Sequence, residues 1–208
     1  SIISFFDDDI VLKEDCLKEM YQAFISNPKL QAANGLILNS SRESIFRRLI
    51  FELTHFGIYS DNRRKLFYEL IDKKKSKREP KKLNTLSGGL TFYRKEIFEK
   101  VPFDHKNRFH AYEDKEHSIR LELSYPNSMY LIPEARLYHF HANSNRESDL
   151  IKVKNDNIEI LKLFKKYKKE SLFGIDLFFL LFGLFFNTII KAIKFKSFRY
   201  INNYFQGI

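Results

Sequence analysis

The chain has 208 residues, of which 44% are hydrophobic and 30% charged, which is enough for one domain with a sizeable core and a small additional segment. The single cysteine, Cys16, excludes an intrachain disulfide, so we expect a reducing, cytoplasmic environment. The net charge of +10 predicts an anionic partner, such as lipid, nucleic acid or a phosphorylated substrate.

The first predicted strand ends in three consecutive acids. The apolar run from Ser1 to Phe6 indicates a buried strand, and Asp7, Asp8 and Asp9 follow it directly. Ligands of open α/β sheets bind at the edge where strands end. Because three adjacent carboxylates repel one another unless a cation or hydrogen-bond donors share the site, the stretch indicates a Mg²⁺ or Mn²⁺ site. The alternative is that the acids cap the helix that follows near Lys13.

Between residues 13 and 84 the pattern predicts three helices and one strand. Apolar residues at three- and four-residue steps indicate helices at 13–26 and 43–54. The second of these carries Ile45, Leu49, Ile50 and Leu53 on one side. Residues 30–38 indicate a strand in which Gly35 tolerates a bulge or a close backbone approach. The polar, basic segment 59–84 indicates a long excursion with a short helix near 66–71.

The next segment combines a glycine pair with an acid pair. Gly88 and Gly89 interrupt a strand predicted at 86–94, where they admit a ligand to the backbone or form a simple bulge. A short helix at 95–100 follows. Glu113 and Asp114 then open another helix, where acids are favoured by the helix dipole even without a further role. Two short strands, 130–132 and 135–141, are expected on either side of Pro133.

The C-terminal part is first basic and then strongly apolar. A helix is predicted at 152–169 with lysines outward and Ile158, Ile160, Leu161 and Phe164 inward. The apolar stretch 172–190 is long enough to cross a membrane. Asp176 and the basic flanks equally allow a helix that lies in the membrane interface, and a buried helix of a soluble core is the third alternative.

Taken in order, these signals resemble the second half of family 2 glycosyltransferases. That family has FxDDD, then SGG, then an ED pair at a helix start, then PxAxxxH. The corresponding residues here are Phe6 to Asp9, Ser87 to Gly89, Glu113–Asp114, and Pro133 to His139. The resemblance covers about residues 1–161. It implies a partial GT-A fold, a Rossmann-like mixed α/β sheet with flanking helices and without its N-terminal half, followed by an apolar C-terminal helix.

The resemblance also implies roles for individual residues. Asp9, Asp7 and His139 would hold Mn²⁺ or Mg²⁺, and Asp7 would also contact the ribose of the donor. Asp114 would be the general base, Glu113 would contact the acceptor or orient the site, and Gly88 and Gly89 would line the sugar. His139 is otherwise a core or surface histidine, and His141 shares its strand face by the two-residue period.

The activity that this resemblance implies is metal-dependent, inverting sugar transfer. The donor is a nucleotide-diphospho-sugar and the acceptor is a hydroxyl of a glycan or lipid-linked molecule, as in cell-surface polysaccharide or glycolipid synthesis. We expect residues 1–150 to be the C-terminal part of the catalytic domain. Residues 151–208 would be a basic helix and a membrane-associated or single-pass helix at the cytoplasmic face of an anionic membrane. Because the nucleotide-binding half of the family is missing, we expect a fragment that is inactive by itself.

Two other classes of function fit the same residues. A metal-dependent phosphoryl-transfer enzyme would use Asp7, Asp9, Asp114 and His139 around one or two ions. A non-catalytic basic module would bind anionic lipid or nucleic acid through two lysine clusters, one at 73–78 with Lys81 and Lys82 and one at 152–169. No nucleic-acid partner is expected for the transferase.

Overall fold

The computed structural model of the protein describes residues 1–40, 44–71, 79–105, 112–140 and 149–208. These residues form a mixed α/β structure with one six-stranded mixed sheet and eight α-helices. The strands are β1 (Ile2–Phe6), β2 (Ile10–Leu12), β3 (Ala32–Ile37), β4 (Lys81–Lys82), β5 (Leu90–Arg94) and β6 (Met129–His139). The helices are α1 (Cys16–Ser26), α2 (Ile45–Thr54), α3 (Arg63–Ile71), α4 (Ile97–Lys100), α5 (Glu113–Ser124), α6 (Asp149–Lys166), α7 (Ile175–Lys194) and α8 (Arg199–Gln206).

The chain divides into two compact units. The first contains the sheet and comprises, among the described residues, 1–40, 61–71, 79–105 and 114–140. The second is helical and comprises 44–60, 112–113 and 149–208. The second unit is therefore discontinuous in sequence, since it includes α2 as well as the C-terminal helices.

The sheet brings chain segments together at the edge where β1 and β6 end. The strand order is β1-β5-β3-β6-β2, and β4 pairs with β6 off this path. Only β3 and β6 run parallel; the other pairs are antiparallel. Pairing of Phe6 with Leu90 brings the end of β1 to the start of β5, and pairing of Ile10 with His139 brings the start of β2 to the end of β6.

Alternating side chains of the central strands build two apolar layers in the first unit. Cys16, Met20 and Phe24 of α1 pack on one face. The residues of the sheet in that layer include Ala33, Phe92 and Ile132, while their neighbours Ala32, Tyr93 and Leu131 belong to the other layer with α3, α4 and α5. This two-residue period is the one expected of strands buried on both faces.

The prediction of a helix after the three acids is confirmed, but the acids do not cap it. α1 begins at Cys16, and the short strand β2 separates it from Asp9. The predicted strand at 30–38 is also confirmed as β3. Its pairing with β6 shifts register between Gly35 and Leu36, and a Cβ on Gly35 would lie 2.6 Å from the Ala135 carbonyl oxygen. Gly35 therefore permits both the predicted bulge and a close backbone approach.

Two strand predictions were wrong. β1 is not a buried core strand: it pairs only with β5 among the described strands, and Phe5 remains 40% exposed. The segments on either side of Pro133 form one continuous strand, β6. Residues 133–135 fall at the register shift, where β3 pairs first with Ile132 and then with Arg136. The missing N–H of Pro133 therefore costs no ladder hydrogen bond.

The second unit has polar contacts within its helical core. Asp176 near the start of α7 is fully buried, and its carboxylate accepts hydrogen bonds from the Ile58 N–H at 3.3 Å and from the Ser171 hydroxyl. Gly183 of α7 lies against Thr54 of α2. Of the residues predicted to face inward on α6, Ile160 is buried, whereas Ile158, Leu161 and Phe164 are only partly buried. α8 was not predicted.

One prediction concerns the buried His117 of α5. Its ring stacks on Phe103 at 4.4 Å, and Nε2 donates to the Val101 carbonyl at 3.0 Å, while Nδ1 has no partner among the described residues. Burial lowers the pKa of His117 below its ordinary 6.5, and the charge of Arg120 acts in the same direction. The unfolded chain therefore takes up a proton below about pH 6.5 that the folded chain resists, so the free energy of unfolding falls as the pH decreases, by up to about 1.4 kcal/mol per pH unit.

Urea unfolding between pH 7.5 and 5 checks this against His117→Gln, which retains a donor but does not titrate. The variant should lose less stability than the wild type as the pH falls. Parallel stability curves for the two proteins would contradict the assignment.

Candidate functional site

Two carboxylates and an imidazole meet at the edge of the sheet where β1 and β6 end. Asp7 follows β1, Asp9 precedes β2, and His139 is the last residue of β6. His139 Nε2 lies 3.1 Å from Asp9 Oδ1 and 4.0 Å from Asp7 Oδ2. One ligand atom from each residue lies within 4.8 Å of the other two. Carboxylate oxygens with one imidazole nitrogen form a donor set that suits Mn²⁺ and tolerates Mg²⁺, so these residues fit the predicted ion.

Asp7 and Asp9 differ in exposure. The Asp7 side chain is 55% exposed, whereas that of Asp9 is 18% exposed and lies beside His139. The Phe140 N–H donates to the Asp9 carbonyl oxygen at 3.0 Å, which holds the start of β2 against the end of β6. Asp8, between them, is exposed and outside this group.

The two glycines before β5 make room for two carboxylates. A Cβ atom on Gly89 would overlap the Asp7 carboxylate, and one on Gly88 would overlap the Asp114 carboxylate. The Asp7 N–H also donates to the Gly89 carbonyl at 2.8 Å. These glycines are therefore required by close approach of side chains, rather than by an unusual backbone conformation.

Asp114 lies in the first turn of α5 and faces the segment 85–89 before β5, which we call the glycine loop. Burial raises the pKa of Asp114 above its ordinary value, and the charge of Asp7 acts in the same direction. The Gly88 N–H, which donates to the carboxylate, and the charge of Arg63 oppose this shift. A carboxylate with a raised pKa is a stronger base than a carboxylate with an ordinary pKa, and so a better proton acceptor.

These groups line one pocket of about 370 Å³ in the first unit. Asp7, Gly88, Gly89, Asp114 and His139 are all in its wall. Asp9 is not among the described lining residues, although it lies 3.1 Å from His139 and belongs to the same group of possible metal ligands. Glu113 is exposed and is likewise outside the described lining. His141 and the basic cluster at 73–78 lie outside the described residues.

The pocket also contains charged residues that the sequence analysis did not identify. Asp61, Arg63 and Arg64 contribute to its wall. The Arg63 guanidinium donates to both oxygens of Asp61, with Nη2 2.7 Å from Oδ2. Its Nη1 donates to the Leu86 carbonyl at 2.7 Å and to the Ser87 hydroxyl at 2.6 Å. Arg63 thus fixes the start of the glycine loop, and the only signal in the sequence was an Asp-x-Arg in a segment predicted to be a loop.

Further polar side chains hold the same loop from the core side. The Asn34 side chain accepts from the Ser87 N–H at 3.0 Å, and the Ser118 hydroxyl accepts from the Leu86 N–H at 2.9 Å. Lys115 Nζ donates to the Thr85 hydroxyl at 2.6 Å, and burial lowers the pKa of Lys115 to about 7. The loop is therefore preorganised by hydrogen bonds from β3 and α5 on the core side, in addition to those of Arg63 of α3.

We predict that Arg63→Lys destabilises the protein by about 1–3 kcal/mol, because lysine cannot reproduce the paired bonds to Asp61 or reach Leu86 and Ser87 at the same time. Urea unfolding measures the loss. The adjacent Arg64 is exposed, so Arg64→Lys should change stability by less than about 0.5 kcal/mol. Equal effects of the two substitutions would show that Arg63 does not anchor the loop.

No protein-family model matches this chain, and no curated protein sequence is significantly similar to it.

Proposed function

We propose that this chain carries the metal-binding and acceptor-activating part of an inverting glycosyltransferase. The proposed donor is a nucleotide-diphospho-sugar, and the acceptor is a hydroxyl of a glycan or a lipid-linked molecule. The observation that supports this most strongly is that Asp7 and His139 line one pocket with Asp114, a partly buried carboxylate from a distant helix. Asp9 lies 3.1 Å from His139 and belongs to the same group of possible metal ligands. A partial GT-A fold of family 2 is part of the proposal, supported by the order of these motifs along a mixed sheet.

The proposed chemistry requires two things of the protein. Negative charge accumulates on the departing nucleoside diphosphate, and Asp7, Asp9 and His139 would hold a Mn²⁺ or Mg²⁺ ion that would neutralise this charge. Asp114 accepts the proton of the acceptor hydroxyl as that oxygen forms its bond to the anomeric carbon. The bond from this carbon to the diphosphate oxygen breaks in the same displacement, so the configuration at the carbon inverts.

The glycine loop has a geometric role in this proposal. Gly88 and Gly89 carry no side chains between Asp7 and Asp114, so a sugar ring can approach both carboxylates. Arg63 and Asn34 act as positioning residues, because each bonds to the loop and not to a reacting group. A loop held in place before the substrate binds lowers the cost of orienting the sugar.

A membrane is the proposed place of action. Among the described residues, one helix, α7, is long and apolar enough to cross a membrane. In the described part of the second unit, 13 lysines and arginines stand against 7 aspartates and glutamates, a net charge of +6. An anionic cytoplasmic membrane surface attracts such a unit, and it is also where lipid-linked acceptors are located.

Transfer assays on the protein expressed from its complete reading frame test the enzymatic proposal. UDP-, GDP- and dTDP-sugars with Mn²⁺ are offered together with glycan and lipid-linked acceptors, and the anomeric configuration of the product is determined by NMR. The proposal expects metal-dependent transfer with inversion. Cleavage of phosphodiesters without sugar transfer would instead identify a phosphoryl-transfer enzyme.

A further inference from the structure

Two helices of the second unit leave apolar faces exposed. On α2, the exposed residues are Ile45, Phe46, Leu49 and Leu53, which we call the α2 apolar face. On α7, they are Phe178, Phe179, Phe182 and Phe186, which we call the α7 phenylalanine face. At about 100° per residue each set falls within about 100° of arc, so each forms one continuous stripe. The sequence pattern predicts an apolar side of α2, but the structure does not bury it: Leu53 is 69% exposed.

The opposite side of α7 is packed within the second unit from one end to the other. Near the start of α7, the Asp176 carboxylate accepts a hydrogen bond from the Ile58 N–H. At the middle of the helix, Gly183 packs so closely on Thr54 that a Cβ on this glycine would lie 2.6 Å from the threonine side chain. Near the end of the helix, Ala192 belongs to the apolar cluster that includes α8. The Tyr204 hydroxyl of α8 also donates to the Leu181 carbonyl at 2.7 Å. α7 is therefore a one-sided helix fixed to polar neighbours along its whole length.

This packing argues against a membrane-crossing α7. α8 carries Arg199, Asn202, Asn203 and Gln206, and α6 carries lysines along its length. Both helices contact α7, so a crossing α7 would draw these polar and charged groups into the hydrocarbon region. Charged residues at that depth are costly. A helix lying in the interface leaves the same packing intact and immerses only its phenylalanine face.

The charges of the second unit indicate which surface would cover these stripes. Lys165, Lys166, Lys168 and Lys169 precede α7 and are exposed. Lys194, Lys196 and Arg199 follow its apolar part and are exposed as well. An apolar face with cations at both ends is complementary to a bilayer with acidic headgroups, whereas a second copy of the same unit would bring like charges together.

We propose that the second unit docks flat on an anionic bilayer, with the α7 phenylalanine face and the α2 apolar face immersed in the interface. This inference rests on the membrane part of the proposed function and is independent of its chemistry. It assigns α2 a lipid contact and makes α7 parallel to the membrane plane.

Depth measurements on vesicles test the orientation. The chain contains no tryptophan, so Phe178→Trp, Phe186→Trp and Ile193→Trp each introduce a single fluorescent reporter on the exposed side of α7. Quenching is measured in vesicles of phosphatidylcholine and phosphatidylglycerol, with bromine at shallow or deep acyl positions and unbrominated vesicles as the control. A flat helix gives one shallow depth for all three reporters. A crossing helix places the reporter at Phe186 about 10–12 Å deeper than the other two, which would overturn the flat orientation.

Flotation of the full chain tests the two faces and the lipid. We expect Phe178→Gln/Phe182→Gln and Leu49→Gln/Leu53→Gln each to weaken partitioning at least about tenfold, whereas Asn187→Gln, an exposed polar site on α7, leaves it unchanged. Circular dichroism and thermal unfolding confirm that each variant is folded. No partitioning of the wild type onto anionic vesicles would overturn the membrane part altogether. A stable dimer by light scattering, with reporters insensitive to brominated lipid, would assign the faces to a second copy.

Discussion

We expect Asp114→Asn to lower the proposed sugar transfer strongly while the fold and the binding of Mn²⁺ and nucleotide are retained. Asparagine keeps the shape of the side chain and its contact with the Gly88 N–H, but it cannot take a proton from the acceptor hydroxyl. A positioned general base contributes about 10²- to 10⁴-fold, so kcat should fall by that factor. Initial rates at saturating donor and acceptor measure the fall, and isothermal titration with nucleotide and Mn²⁺ verifies that the site still assembles.

The residue before Asp114 supplies a matched control for this prediction. Glu113 is an acid at the start of the same helix, but it is exposed and outside the described pocket wall. Glu113→Gln should leave kcat within about threefold of the wild type, and an acceptor contact would appear in KM instead. Unchanged transfer in Asp114→Asn, or equal losses in both variants, would remove Asp114 from the role of base.

We expect Gly89→Ala to weaken Mn²⁺ binding by at least about tenfold without unfolding the protein, because an added Cβ would overlap the Asp7 carboxylate. Asp7 is more than half exposed, so its side chain can rotate away at little cost to the fold. Rotation takes its oxygens away from Asp9 and His139, which leaves two ligands where there were three. Mn²⁺ affinity is measured by electron paramagnetic resonance of the free ion, and thermal unfolding shows whether the fold is kept.

Gly88→Ala tests whether the two glycines serve different carboxylates, Gly89 the proposed metal ligand Asp7 and Gly88 the proposed base Asp114. Its Cβ would overlap the carboxylate of Asp114 and not that of Asp7. We therefore expect it to lower kcat while Mn²⁺ affinity stays close to that of the wild type. If both glycine variants lost metal and activity together, the loop would be acting as one structural unit and the assignment of a carboxylate to each glycine would be wrong.

Local sequence pattern was sufficient for the elements that carry the site. The apolar spacing of Met20 and Phe24 predicted α1, and Gly35 marked the irregular point of β3. The acid pair opens α5 as expected, and Glu116 forms an i,i+4 ion pair with Arg120 at 2.8 Å. Each of these depends on residues a few positions apart, so periodicity and helix-end preferences suffice.

The sequence did not predict what covers each apolar side. The pattern of α2 identified the side with Leu49 and Leu53, but periodicity cannot distinguish a face packed on a core from one left exposed. β1 is apolar as a buried strand would be, yet it lies at the edge of the sheet. Pro133 predicts an interruption that β6 does not have, because the register shift that accommodates it depends on a strand nearly one hundred residues earlier, β3.

The site itself was only partly predictable for the same reason. Motif order and strand ends pointed to Asp7, Asp9, Asp114 and His139. In the fold, Asp7, Asp114 and His139 line one pocket, and Asp9 lies beside His139 in the group of possible metal ligands. Arg63 was missed because its role consists of bonds to Leu86 and Ser87, more than twenty positions away. No local spacing encodes such a contact.

The proposed metal site is tested most directly by titrating Asp9→Asn and Asp8→Asn with Mn²⁺ and monitoring the free ion by electron paramagnetic resonance. Asp9 and Asp8 are adjacent acids of equal charge, but only Asp9 belongs with Asp7 and His139 to the group able to hold an ion. We expect one site in the wild type, weakened at least about tenfold in Asp9→Asn and unchanged in Asp8→Asn. Equal weakening in both variants would mean that Mn²⁺ responds only to local negative charge, and the proposed metal site, with the transferase built on it, would be contradicted.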